Sequence, residues 1–261
     1  YTRRVIDAEL DELFGSLTAV ALEGAKAVGK TATAAERART VYQLDDDEQR
    51  ALVEADGSRL LQGERPILVD EWQRVPSSWD VVRRAVDSRG ATAGSYLLTG
   101  SASAAPDARL HSGAGRIVSL RMRPLTLSER GVGSPTVSLA ALLRGDRSEV
   151  AGETTVRLAD YVDEILASGL PGLRGLTGRA LRAQLDGYVD RIVEREFPQL
   201  GVNIRNPTAL RRWLTAYAGA ASTTVSYEKI RKKGFETTIE LSEKSLSCGE
   251  ISTSYDAAPG S

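Results

Sequence analysis

Five short apolar runs alternate with segments of helical length over the first half of the sequence. The runs lie at 18–24, 41–46, 65–72, 94–102 and the start of 115–131. The segment "SSWDVVRRAVDSRG" illustrates the helices between them, because it opens with a serine N-cap signal and closes with glycine. Strands that alternate with helices pair in parallel, and helices cover both faces of such a sheet. The pattern therefore predicts an α/β fold.

The second half of the sequence has a different periodicity. From about residue 136 the apolar residues recur at helical spacing, and no stretch is convincing as a strand. Four segments follow this helical pattern: "VSLAALLRG", "LADYVDEILASG", "RALRAQLDGYVDRIVEREF" and "NPTALRRWLTAYAGAA". The best linker is "GDRSEVAGE", at 145–153. The last part, rich in Ser, Thr and Gly, predicts one short strand at 235–242 and then a disordered tail.

Charge and cysteine content exclude several classes of protein. Among 261 residues, 34 Lys and Arg nearly balance 35 Asp and Glu, so no overall field attracts nucleic acid or anionic membrane. The single Cys248 has no partner for a disulfide within the chain, and the single His111 leaves no His/Cys zinc cluster. No apolar run approaches the roughly 18 residues of a membrane span, and the N-terminus lacks the apolar core of a signal peptide. We therefore expect a cytoplasmic location.

The first apolar run leads directly into a glycine-containing turn and a helix. Eight consecutive residues, from the end of this run to the start of the helix, satisfy the pattern G-x-x-x-x-G-K-[ST]: Gly24, Ala25, Lys26, Ala27, Val28, Gly29, Lys30 and Thr31. In this pattern the glycines let the backbone curl so that its amides face phosphate groups, and the helix adds its positive N-terminal end. Lys30 would then reach the β- and γ-phosphates, and the Thr31 hydroxyl would bind Mg²⁺. The competing interpretation is a plain strand-to-helix turn.

The third apolar run, "PILVDEW", ends in two acidic residues. On a strand beside the loop, Asp70 would hold Mg²⁺, and Glu71 would act as general base toward an attacking water. The separation of Lys30 and Asp70 leaves room for one intervening strand and helix. As the alternative, acidic pairs also end buried strands at a solvated sheet edge.

The fourth apolar run ends in "LLTGSA". Either Thr99 or Ser101 would sit between the acidic pair and the γ-phosphate and orient the water. A Thr-Gly-Ser sequence also forms turns, so a purely structural role is the alternative.

Five separated phrases, in order along the chain, resemble one group of proteins. They are "LEGAKAVGKT", "PILVDEWQRVP", "YLLTGSA", "HSGAGRIVSLRMRPLTLSERG" and "LADYVDEILASGLPG". Together they resemble prokaryotic AAA-type P-loop ATPases, in which an ATPase domain precedes a helical, winged-helix-like segment and a C-terminal domain of unknown function. The resemblance covers roughly residues 1–230.

The resemblance implies a role for each motif. It assigns Lys30 and Thr31 to Walker A, Asp70 and Glu71 to Walker B, and Ser101 or Thr99 to the sensor-1 position. Arg116, in "SGAGR", lies just before the fifth strand, where these ATPases place an arginine finger that reaches the γ-phosphate bound by a neighbouring subunit. Arg121 and Arg123 compete for this role, and a solvated basic strand edge is the alternative for all three.

The sequence departs from the family pattern in two places. Ala25 and Lys26 stand where Pro and Arg are expected, which leaves the phosphate contacts intact. After "SYEKIRK" the resemblance stops, so we expect the C-terminal domain to be missing, as in a truncated product. The predicted division is a P-loop AAA-type ATPase domain over 1–145, a helical, winged-helix-like domain over 146–235 and an irregular tail over 236–261.

The segment 208–234 predicts two helices joined by a short turn of small residues. Basic residues gather in its second helix: Lys229, Arg231, Lys232 and Lys233. This resembles a DNA-binding helix-turn-helix, whereas the alternative is a packing module with a solvated basic end. The three tryptophans are expected to pack in cores or interfaces rather than stack on a base: Trp72, Trp79 and Trp213.

Two functions follow from these motifs. In the first, the chain binds Mg²⁺ and ATP through residues 24–31 and Asp70 and hydrolyses the ATP to ADP and phosphate. The catalytic residues would be Glu71, Lys30, Ser101 and Arg116. The finger would also require a homo-oligomer. In the second, the chain is a nucleotide-gated binding module, associated with DNA through 208–234, with little turnover.

Overall fold

The computed structural model describes residues 1–88, 90–101, 113–133, 135–147, 149–199, 204–221 and 223–234. The strands are β1 (Ala19–Gly24), β2 (Thr40–Gln43), β3 (Ile67–Asp70), β4 (Tyr96–Ser101) and β5 (Ile117–Arg121). The helices are α1 (Ile6–Phe14), α2 (Lys30–Ala35), α3 (Asp47–Ala55), α4 (Ser77–Val86), α5 (Leu139–Leu143), α6 (Leu158–Ala167), α7 (Gly178–Arg191), α8 (Phe197–Gln199), α9 (Pro207–Gly219) and α10 (Tyr227–Gly234). Short 3-10 helices span Gly57–Leu61, Trp72–Arg74 and Pro171–Leu173, and a π-helix spans Ile192–Glu196.

The five strands form one parallel sheet in the order β2-β3-β4-β1-β5. In register, Ala19 faces Tyr96 and Ile117, while Gly24 at the other end of β1 faces Ser101. Because parallel strands end at the same edge, the segments that follow β1, β3 and β4 meet there. The predicted α/β fold with a parallel sheet is confirmed, and the second half is mainly helical as expected.

β3 is not the immediate neighbour of β1 in the sheet. β4 lies between them and pairs with both. The connection from β1 to β2 skips two positions in the sheet, and β3 and β4 fill those positions later in the chain. Asp70 therefore reaches the end of β1 across one strand rather than from its immediate neighbour.

The central strands β1, β3 and β4 are buried on both faces, as expected for parallel strands, whereas the edge strands β2 and β5 are partly exposed. Side chains of neighbouring residues point to opposite faces, and they belong to two separate apolar clusters. One face contributes Ala21, Val69 and Leu98, which pack with Trp79 of α4; the other contributes Val20, Leu68 and Leu97, which pack with Leu10 of α1. Trp72 and Trp79 are buried with ring centroids 4.9 Å apart, which agrees with the predicted packing role.

The start of α4 differs from the sequence-based expectation. No serine caps this helix, because Pro76 occupies the N-cap position and Ser77 is already helical. The Ser78 hydroxyl instead donates to the Trp72 carbonyl oxygen at 3.2 Å. The preceding 3-10 turn presents this carbonyl to the helix, so a tertiary hydrogen bond replaces the local cap.

Contacts within the chain define two units, Tyr1–Leu181 and Arg182–Ser261. The first unit contains the sheet and α1–α6, and the second contains α8–α10 and most of α7. The predicted boundaries near 145 and 235 and the winged-helix arrangement stay predictions. The predicted strand at 235–242 and the tail lie outside the described residues. Among the helices of the described ranges, none is long and apolar enough to cross a membrane.

Candidate functional site

The loop between β1 and α2 is shaped by two glycines with different tasks. A Cβ on Gly24 would lie 2.3 Å from the carbonyl oxygen of Met122, so only glycine lets β1 end this close to the segment after β5. Gly29 has a φ of +102°, in the left-handed region that side chains rarely adopt. Ala27 also lies in that region, with a φ of 62°. The chain therefore curls tightly before it enters α2.

Three amides of this curled loop are open in the sense that each lacks an acceptor among the described residues; Val28 itself is buried, and Gly29 and Thr31 are half-buried. The N–H groups of Val28, Gly29 and Thr31 donate to no acceptor among the described residues. Unpaired amides in a turn at the N-terminal side of a helix form a concave anion-binding surface. Open donors at these positions are what the sequence pattern predicts for a phosphate cradle.

Lys30 places its ammonium group inside the loop. Its Nζ donates to the carbonyl oxygens of Gly24 at 3.0 Å and Ala25 at 2.9 Å, and the residue is buried. The loop therefore wraps around the lysine side chain, and a fixed positive charge lies beside the open amides. Lys26, which belongs to the same motif, is half-buried.

Asp70 brings the end of β3 to the start of α2. Its Oδ1 accepts a hydrogen bond from the Thr31 hydroxyl at 2.9 Å and a second one from the Thr99 hydroxyl. Asp70 is buried, so the carboxylate is held between two hydroxyl groups. Within the described residues no group of three His, Cys, Asp or Glu side chains could hold a metal. Mg²⁺ commonly takes one or two protein oxygens together with phosphate oxygens and water, and Thr31 with Asp70 fits that donor set.

Glu71 is held in an unusual backbone conformation. Its φ of 54° and ψ of 43° are left-handed, which is strained for a residue with a side chain. Burial raises the pKa of Glu71 above its ordinary value, and the Asp70 carboxylate adds to the rise; Lys30 opposes it only in part. A carboxyl group that has a raised pKa and stands on a strained backbone is typical of a functional site rather than of a solvated strand end.

Gln73 is a site residue that the sequence did not indicate. Its Nε2 donates to Glu71 Oε2 and lies 3.5 Å from the Ser101 Oγ, while its buried Oε1 has no hydrogen-bond partner among the described residues. The 3-10 turn at Trp72–Arg74 folds Gln73 back toward the strand ends. The letters "DEWQ" carry no signal of this turn, so only the structure connects Gln73 with Glu71.

Thr99 and Ser101 are both near the acidic pair, but they contact different partners. Thr99 donates to Asp70, whereas Ser101 approaches Gln73. The two residues are two positions apart on β4 and therefore point to the same face of the sheet. The structure thus places Thr99 at Asp70 and Ser101 near Glu71, through Gln73.

The three candidate arginine fingers occupy different ends of the sheet. Arg116 precedes β5 and pairs with Asp87, with its Nε 2.7 Å from Oδ1. Ile117 faces the first residue of β1, so Arg116 is separated from Gly24 by the length of that strand, about 17 Å. Arg121, in contrast, faces Glu23 at the loop end of the sheet. The carbonyl oxygen of Arg123 accepts a hydrogen bond from Arg4.

The segment 208–234 forms two helices, α9 and α10, as its sequence predicts. Trp213 stacks on Tyr217, and Tyr217 stacks on Tyr227, so aromatic rings hold the two helices together. Trp213 thus packs as expected. Of the basic residues in α10, Lys229 is exposed and Lys232 pairs with Glu228 at 3.2 Å. His111 and Cys248 lie outside the described residues.

Two family models match separate parts of the chain. Residues 17–130 match the family model described as an AAA domain (AAA_14), and residues 158–247 match a domain of unknown function (DUF8612). This second match extends past residue 230, where we expected the C-terminal domain to be missing. No curated protein matches the chain.

The solved structures similar to this chain include AMPPCP-bound DnaA from Aquifex aeolicus. The two chains share 15% identity with a TM-score of 0.28, over 95% of this chain and 87% of that chain. The two family matches agree with the resemblance in the sequence: a match to an AAA domain is followed by a match to a domain of unknown function.

Proposed function

We propose that this chain binds Mg²⁺ and ATP at the loop of residues 24–31 and hydrolyses the ATP to ADP and phosphate. The observation that carries the proposal is the meeting of three groups at one edge of the sheet. Lys30 lies inside the loop, the Thr31 hydroxyl bonds to Asp70 at 2.9 Å, and Glu71 follows Asp70 directly. An acidic pair at a solvated strand end does not account for the bond between Asp70 and Thr31.

The loop provides the phosphate-binding groups. The open amides of Val28 and Gly29 would donate to phosphate oxygens, and the Lys30 ammonium would exchange its loop carbonyl partners for them. Thr31 Oγ1 and Asp70 would hold Mg²⁺, which offsets phosphate charge when it is bound. Fixed donors of this kind stabilise charge without reorganisation during the reaction.

Glu71 is suited to receive a proton from the attacking water. A general base acts best when its pKa approaches the working pH, and burial raises the pKa of Glu71 in that direction. The Gln73 amide, which donates to Glu71 Oε2, limits the rotation of the carboxyl group. Ser101, next to Gln73, would then help to orient the water.

The direct test is Glu71→Gln, which keeps the shape of the side chain but cannot accept the proton. We expect steady-state phosphate release to fall by about 100-fold or more, with the dissociation constant for ATP nearly unchanged. Glu64→Gln is the matched control, because Glu64 is exposed and forms a surface ion pair with Arg39 at 3.6 Å. Equal phosphate release by both variants and the wild type would reject hydrolysis at this site.

A second substitution separates binding from turnover. Lys30→Ala should abolish ATP binding measured by calorimetry, because it removes the cation inside the loop. Binding without turnover in the wild type would favour the nucleotide-gated binding module instead. Oligomer formation through Arg116, DNA binding by 208–234 and a cytoplasmic location remain parts of the sequence-based hypothesis.

A further inference from the structure

We propose that Arg4, which lies outside the AAA domain match, is a positioning residue for phosphate binding. It holds the peptide between Val28 and Gly29 so that the Gly29 amide stays directed away from the guanidinium and open to an anion. This inference rests on the proposed function, because it concerns the same loop.

The Arg4 guanidinium joins three separate segments of the chain. Its Nη1 donates to the Val28 carbonyl oxygen at 2.7 Å, its Nη2 to the Arg123 carbonyl oxygen at 2.8 Å, and its Nε to Glu129 Oε1 at 2.9 Å. The Arg4 and Glu129 side chains are both almost fully buried, with 5% and 6% of their surface exposed. An arginine in this environment has one well-defined position, because its planar fork satisfies all three acceptors together.

The hydrogen bond to Val28 fixes the direction of the next amide. The peptide between Val28 and Gly29 is trans, since the described residues contain a cis bond only at Arg65-Pro66. In a trans peptide the C=O and the following N–H point in opposite directions within one plane. With the Val28 oxygen held by Arg4, the Gly29 N–H points away from Arg4, and it has no acceptor among the described residues.

The fit of the guanidinium against the loop is close. A Cβ on Gly29 would lie 3.3 Å from Arg4 Nη1, tighter than most contacts of real Cβ atoms. Glycine at this position therefore serves two requirements, the left-handed φ and the close approach of the arginine. Such a fit indicates that the loop and Arg4 form one unit rather than two surfaces that touch by chance.

Arg4 is itself held in place from both sides. The Arg4 amide donates to Asp7 Oδ2 at 2.6 Å, and Glu129 also accepts from the amides of Val5 and Thr126, each at 2.6 Å. These bonds keep the guanidinium in position before any ligand arrives. A loop whose amides are already directed binds phosphate more tightly, because less ordering is needed on binding.

A purely structural role for Arg4 makes a different prediction. If Arg4 only ties the N-terminal segment to the domain, its loss should lower stability and leave the affinity for ATP unchanged. Asp11 provides the comparison, because it anchors the same segment through Arg37 and, among the described residues, bonds to neither Arg4 nor the loop of residues 25–29. The two roles are thus separable in one experiment.

The experiment compares Arg4→Lys, Arg4→Met and Asp11→Asn in the full chain. Lysine lacks the fork and cannot reach Val28, Arg123 and Glu129 together, so both Arg4 variants should weaken ATP binding by about tenfold. Asp11→Asn should lower the melting temperature and keep the dissociation constant for ATP within about twofold of the wild type. At saturating ATP, turnover by Arg4→Lys should remain near that of the wild type, because Arg4 does not contact the reacting groups.

A readout without nucleotide completes the test. In the ligand-free protein, amide hydrogen exchange over residues 22–34 should be faster in Arg4→Lys than in Asp11→Asn. Unchanged exchange and unchanged ATP affinity in Arg4→Lys would overturn the inference, whether or not Arg4→Met folds. If the wild type binds no ATP, the proposed function fails and this inference fails with it; if the wild type binds and the Arg4 variants bind equally well, only this inference fails.

Discussion

Gly100 shows how little free space surrounds the acidic pair. A Cβ at this residue would lie 2.6 Å from both the Trp72 Nε1 and the Gln73 Oε1, which are buried atoms. We expect Gly100→Ala to lower the free energy of unfolding by about 1–3 kcal/mol, because one of these side chains must move. Gly172→Ala is the control, since a Cβ there meets nothing within 4 Å. Denaturant unfolding measures both variants, and equal stability would contradict the close packing around Gly100.

Residues of the site could be predicted where their chemistry depends on local sequence. Lys30 and Thr31 follow from one continuous motif, and Asp70 with Glu71 follows from an apolar run that ends in acid. Gln73 and Arg4 could not be predicted, because their contacts depend on the fold. Arg4 contacts Val28 at a separation of 24 residues and Glu129 at 125, and no spacing rule links positions so far apart.

Between elements, buried charged groups attach α1 to α2. The Asp7 carboxylate accepts hydrogen bonds from the Arg4 amide, the Tyr1 hydroxyl and the Arg37 guanidinium. Burial alone would raise the pKa of Asp7, but these bonds outweigh burial and hold it below its ordinary value of 3.8. The folded state therefore takes up this proton less readily than the unfolded state. The stabilisation from Asp7 is complete above that value and is lost as the pH falls below it.

Asp7→Asn should remove this acid-sensitive part of the stability. At neutral pH we expect the variant to be less stable by about 1–3 kcal/mol, because a charged hydrogen-bond acceptor is lost from a buried site. Its stability should then decline less than that of the wild type between roughly pH 5 and 3. Thermal unfolding across this pH range provides the measurement, and parallel declines would contradict the role of Asp7.

The existence of the strands and helices was easier to predict than the order of the strands in the sheet or the residues at which helices begin. Each of the five apolar runs contains a strand, because burial on both faces leaves a continuous apolar signal in the sequence. The order of the strands was not predictable in the same way, since β4 enters the sheet between β1 and β3. The expected serine cap at the start of α4 was also wrong, because Ser78 bonds to Trp72 of the preceding turn instead of capping the helix.

At the scale of the whole molecule, substitution of Arg116 tests whether chains assemble around the nucleotide. It lies at the edge of the sheet opposite the loop of its own chain, so as a finger it would act on a neighbouring chain. We expect Arg116→Ala to reduce turnover by about a thousandfold. In mixtures of Arg116→Ala and Glu71→Gln chains, each inactive alone, turnover should recover, because one chain supplies the base and its neighbour supplies the finger. Arg39→Ala, at an exposed surface pair, is the control and should keep wild-type turnover, and mixtures that stay inactive would reject a shared site.

The division of the chain was predictable only in outline. The sequence changes to helical periodicity at about residue 136, whereas contacts divide the chain between Leu181 and Arg182. Helical periodicity shows which face of a helix is apolar, but it does not show which core that face joins. α5 and α6 therefore belong to the first unit, although their sequences are typical of the helical half.

The backbone conformation of Glu71 lowers stability at a residue that the proposed reaction requires. A residue with a side chain pays for a left-handed conformation with about 1–2 kcal/mol, and this residue also buries a carboxyl group. Asparagine adopts such a conformation more readily and carries no charge. Selection for heat resistance alone would therefore favour replacing the very residue on which the proposed turnover depends. Retention of glutamate here would mean that the chain has been shaped by catalysis at the expense of a more stable fold.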